Sequence, residues 1–160
     1  MKSWIACLVV GLIVVPARGQ FPQDEREPDP TKVKPVQPVA GRLMGVDFKM
    51  AKVELQGTGA LVMTGGKETV FIFLPEKTAQ ALEGKAYAYG PQGPGPRPSV
   101  HIHVHTLMPP RAEAHSTGYT MRVEFGKVKD GKLAGRLEVV LPDDQRSSLK
   151  GSFTLDLSQP

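Results

Sequence analysis

From Gly41 onward, apolar side chains return at every second position, which is the period of a strand with one face buried. The C-terminal third is the clearest case. Tyr119, Met121, Val123 and Phe125 fall on one side, and Thr120, Arg122 and Glu124 on the other. Leu133, Leu137, Val139 and Leu141 share a face, as do Leu149, Phe153, Leu155 and Leu157. Gly135 and Gly151 fall in phase on those two inward faces, where a glycine marks a bulge or a close backbone approach. Asp130-Gly131 is a hairpin turn pair, and Pro142-Asp143-Asp144 makes the next turn.

The earlier half follows the same rule. Lys52, Glu54 and Gln56 alternate with Val53 and Leu55, and Leu61 to Met63 follow a Gly57-Thr58-Gly59 turn. Thr69 to Leu74 is a continuous apolar, β-branched and aromatic run, which predicts a central strand. Lys85 to Tyr89 alternates with Tyr87 and Tyr89 on one face, and Val100 to Leu107 alternates strictly. One short helix of about two turns is expected near 75–83, with Pro75 at its first position and Gly84 just past its end. Residues 90–98, rich in Pro and Gly, are expected to be a connecting loop. About eight or nine short strands point to an all-β fold, an antiparallel β-sandwich or a barrel. The sandwich is preferred because clean alternation leaves one wet face per sheet.

The N-terminus does not belong to this pattern. Lys2 is followed by an apolar run from Trp4 to Val15, then Pro16 and Ala17-Arg18-Gly19, the layout of a signal peptide over residues 1–19. The run is shorter than the ~20 residues a bilayer span needs. Cleavage after Gly19 would remove Cys7 and Trp4, the chain's one cysteine and one tryptophan. The expected product is secreted or periplasmic, has no thiol chemistry, and has no membrane span once the signal is cleaved. Residues 20–40 hold five prolines and alternating charges, which predicts a linker ahead of one β domain over 41–160. The net charge of +4 is scattered, and Lys2 and Arg18 carry two of it. A nucleic-acid footprint needs a clustered basic patch, so no nucleic-acid partner is expected.

Phe125-Gly-Lys-Val-Lys-Asp-Gly-Lys-Leu-Ala-Gly-Arg-Leu, Leu141-Pro-Asp-Asp and Leu149-Lys-Gly-Ser-Phe resemble the C-terminal strands of small exported bacterial β-rich proteins with no assigned activity. The resemblance also takes in Gly41 to Leu61. It implies the fold and no chemistry.

His101-x-His103-x-His105 is the sharpest chemical feature. At i, i+2 and i+4 on a strand, three imidazoles project from one face while Val100, Ile102 and Val104 project from the other. Two imidazoles at that spacing can hold one Zn or Cu ion with Zn–N near ~2.0–2.1 Å. His115, Glu113 and Met108, read as lying in the loop after the strand, are the candidates to complete the shell. His115 or Glu113 would suit zinc, and Met108 would suit Cu(I). The competing readings are a wet sheet face decorated with histidine and a pH-responsive cluster.

No catalytic signature accompanies the row. The chain has no G-x-S-x-G, H-E-x-x-H or Walker loop. Asp143-Asp144 sits where a turn favours Asp, and Ser147-Ser148 has no base nearby in sequence. The sequence therefore predicts an exported, non-catalytic β domain that binds or supports an envelope or extracellular partner. The alternative is an extracytoplasmic Zn or Cu protein, with or without enzyme activity, built on His101, His103, His105 and His115.

Overall fold

The computed structural model describes residues 37–92 and 96–158. The expected signal peptide over residues 1–19 and most of the expected linker lie outside the described residues. Among the described residues, eleven strands form two antiparallel sheets, so the fold is a sandwich and not a closed barrel.

The first sheet contains β1 (Ala40–Leu43), β2 (Val46–Lys49), β6 (Ala86–Tyr89), β9 (Thr120–Lys129), β10 (Lys132–Val140) and β11 (Ser148–Asp156), in the order β2-β1-β11-β10-β9-β6. The second contains β3 (Lys52–Leu55), β4 (Ala60–Gly65), β5 (Glu68–Phe73), β7 (Val100–Val104) and β8 (Arg111–His115), in the order β3-β4-β5-β7-β8. The run Thr69 to Leu74 forms β5, which is indeed the central strand of its sheet. The chain passes between sheets at Met50-Ala51, where Met50 N–H donates to Val39 O and Ala51 N–H to Thr64 O. It passes back for β6, crosses again for β7, and returns before β9, where the buried Tyr119 hydroxyl donates to Pro98 O.

The alternation read in the sequence becomes the core. Leu133, Leu137, Val139, Leu149, Phe153 and Leu155 from one sheet meet Leu61, Met63, Val70, Ile72, Val100 and Ile102 from the other. Asp130 (φ 52°) and Gly131 (φ 69°) both adopt left-handed backbone, as a two-residue hairpin turn requires. Gly135 leaves room for a ring: a Cβ there would lie 2.3 Å from Phe153 Cζ. The β9–β10 register shifts between Leu133 and Gly135, with the extra residue in β9, where Gly126 and Lys127 stand against Ala134; Gly135 itself marks the close approach.

Three expectations change. The helix is a single turn, α1 (Ala79–Leu82), capped by Thr78, whose Oγ1 accepts from Ala81 N–H; Pro75 lies outside it. The cap sets the start, and Ala79 and Leu82 supply the buried side. Arg111–His115 is a strand and not a loop, which with the short strands β1 and β2 raises the count from eight or nine to eleven among the described residues. The sheet also reaches back into the expected linker. Val39 is fully buried, its N–H donates to Ser152 O, and Ser152 N–H donates to Gln37 O.

Candidate functional site

The outer faces of the two sheets differ. Residues directly opposite in an antiparallel ladder share a face, so the registers assign each side chain. The outer face of the six-stranded sheet is a lattice of charge. Arg136 lies opposite Glu124, Glu138 opposite Arg122, and Lys150 opposite Glu138. Arg122 pairs with Glu124 at 2.6 Å, and Lys150 with Glu138 at 3.2 Å. Such exposed pairs add little stability and describe a solvated face.

The outer face of the five-stranded sheet is different. Val62 lies opposite Phe71, Thr64 opposite Thr69, Phe71 opposite His101, and Thr69 opposite His103. Ala112 and Ala114 of β8 complete the row beside His103 and His101. From β4 to β8 no outward-facing strand residue among the described residues is an acid, a lysine or an arginine; Lys52 and Glu54 enter only on the edge strand β3.

The rings on this face pack on one another. Phe73 and His101 have centroids 4.8 Å apart, Phe71 and His103 5.2 Å, and Phe71 and Phe73 6.5 Å. All four residues are half-buried, whereas Val100, Ile102 and Val104 behind them are fully buried. The strand ends at Val104, but the ladder runs one bond further, from His105 N–H to Lys67 O at 3.3 Å. His105 is exposed, and its ring lies 6.3 Å from that of His103, nearly edge-on.

The structure thus gathers His101, His103 and His105 along one line but separates them from the other expected ligands. His115 lies opposite Val100, and Glu113 opposite Ile102, so both belong to the core-facing side of the sheet. A strand at β8 imposes this, because its alternation puts Ala112 and Ala114 on the histidine side. His115 Nε2 lies 3.4 Å from Glu113 Oε2 and takes no hydrogen bond among the described residues. Met108 is 92% exposed, in the turn between β7 and β8. Among the described residues, no three His, Cys, Asp or Glu side chains come together as a metal cluster.

The sequence reading missed Phe71 and Phe73 as members of this face. Their signal was the failure of alternation: Phe71 to Leu74 is apolar at every position, and a strand with one wet face would not be. Of the other residues weighed for chemistry, Asp143 and Ser147 have a structural role. Asp143 Oδ1 accepts from Ser147 N–H and Oδ2 from Ser147 Oγ–H, both at 2.7 Å.

A second polar group closes the loop between β5 and β6. Lys85 and the Tyr87 hydroxyl both donate to the Glu76 carboxylate. The hydrogen bond from Lys85, then that from Tyr87, holds the Glu76 carboxyl below the usual carboxylate range. Burial, then the bond to Glu76, pushes the Tyr87 hydroxyl up. This group fastens α1 to the sheet edge rather than facing the histidine row. No helix among the described residues is long and apolar enough to cross a membrane. No family model matches the chain, and neither a curated protein nor a solved structure matches it.

Proposed function

We propose that this chain is an exported, non-catalytic β-sandwich module that binds a partner protein of the cell envelope through the outer face of its five-stranded sheet. One observation carries the reading: Phe71, Phe73, His101 and His103, with Ala112 and Ala114 beside them, form a continuous face without fixed charge, on a molecule whose opposite face is a lattice of ions. An uncharged face with packed aromatic rings loses little hydration on docking, whereas the charged face would have to be desolvated. The partner surface it fits is apolar and uncharged. The signal-like residues 1–19 support export, and the proline-rich segment after them supports a linker that holds the domain away from a membrane, wall or partner.

Fractionation of the producing cells tests this. Phe71→Thr combined with Phe73→Thr should release the protein from the envelope fraction. Arg122→Gln combined with Glu138→Gln should leave its retention at the wild-type level. Equal retention of all three proteins, or release by the second pair, contradicts the proposal. A second reading, a transition-metal site on the same strand, is favoured by the approach of His103 to His105.

A further inference from the structure

We infer that His103 and His105 together chelate one Zn²⁺ or Cu²⁺ ion at the rim of the five-stranded sheet, leaving the other coordination positions to water or to a donor atom of a partner. The inference rests on the metal reading of this strand and narrows it to one pair. Both side chains leave the same face, because the β7 ladder continues through His105 N–H to Lys67 O.

The spacing meets a simple limit. An ion held by a ring nitrogen at ~2.0–2.1 Å lies about 3.2 Å from that ring's centroid, so two imidazoles can share an ion only within about 6.4 Å of each other. The His103 and His105 centroids are 6.3 Å apart. Rotation of the exposed His105 side chain shortens this toward the ~5.2 Å of a tetrahedral pair. His101 sits further from the rim, with its ring against Phe73.

The pair is also held in place. Thr106 Oγ–H donates to Glu68 Oε1 at 2.7 Å, which fixes the residue after His105 as the ladder fixes His105 itself. Glu68 is buried, and its second oxygen accepts from Lys67 N–H, so its carboxylate is engaged. The residues facing the pair from the neighbouring chain are Thr69, Phe71 and Ala112, with the titratable Lys67 opposite His105. An imidazole pair without carboxylates suits zinc and copper and is a poor host for the oxygen-seeking Ca²⁺ and Mg²⁺.

Calorimetric titration of the tag-free exported protein with ZnCl₂ and CuCl₂ is the test, with circular dichroism confirming that each variant folds. The expected result is one ion per chain, bound about tenfold more weakly by His103→Ala and by His105→Ala. His115→Ala, on the opposite side of the sheet, should bind as wild type. Wild-type affinity no tighter than ~1 mM overturns the inference. So does a His105→Ala protein that binds like wild type, or an equal loss in His115→Ala. The envelope fractionation does not depend on these outcomes, so the metal pair and the docking face fail separately.

Discussion

Replacing Ser147 with alanine removes one oxygen atom and should destabilise the fold more than its size suggests. Ser147 is fully buried. Its Oγ accepts from Met44 N–H at 2.7 Å and donates to Asp143 Oδ2 at 2.7 Å. Met44 belongs to the turn between β1 and β2, 103 residues away, and is itself buried with φ 47°. Ser147 therefore clasps the first turn of the six-stranded sheet to the last. Without Oγ, Asp143 still accepts from the backbone N–H of residue 147, but Met44 N–H is left without an acceptor. A buried donor stranded in this way costs about 1–3 kcal/mol, and the bond lost to the Asp143 carboxylate adds about 1.5 kcal/mol or more, so the low end of the sum is about 2–3 kcal/mol. For a folded unit of this size, 1 kcal/mol moves the melting midpoint by about 4 °C, so Ser147→Ala should melt about 8–12 °C lower. Thermal melts by circular dichroism at neutral pH measure this directly. A drop under about 2 °C would refute the reasoning, because the Met44 donor would then have a ready substitute acceptor.

Two further outcomes follow from the packing and the charges. Val39→Ala should lower stability by about 2 kcal/mol in urea unfolding, since it empties a fully buried site in a segment the sequence assigns to a linker; an unchanged midpoint would mean that the segment does not pack on the sheet. Glu76 is ionised more readily in the folded chain because Lys85 and then Tyr87 donate to it. A carboxyl depressed in the native state contributes stability that is complete above its unfolded value and is lost as pH falls through its folded value. The advantage of wild type over Glu76→Gln should therefore shrink between about pH 6 and pH 3, and an advantage independent of pH would contradict the assignment.

The period of two made most of the sandwich legible, because burying one face of a strand writes itself into the chain. The hairpin at Asp130-Gly131 and the in-phase Gly135 and Gly151 were readable for the same reason: special backbone and close approach demand special residues. β8 was not readable, since Arg111-Ala-Glu-Ala-His has polar side chains on its core-facing side at a sheet edge. That omission is what placed His115 with the histidine row. The row itself was legible as three residues on one face. Phe71 and Phe73 were legible only as a break in the alternation of β5; that they pack on the row was not, because cross-strand register is invisible in a single strand's pattern. The early helix start at Pro75 failed because local propensity weighed less than the Thr78 cap and the burial of Ala79 and Leu82.

The central claim is that the uncharged face of the five-stranded sheet is the one that meets a partner. Site-specific photo-crosslinking tests it most directly, with benzoylphenylalanine placed at Ala112, on that face, or at Glu138, on the charged one. Both positions are exposed, so neither substitution disturbs the core. Irradiation of the producing cells should yield a discrete higher-mass adduct from the Ala112 position and none from the Glu138 position. Adducts from both positions alike, or from Glu138 alone, would contradict the account.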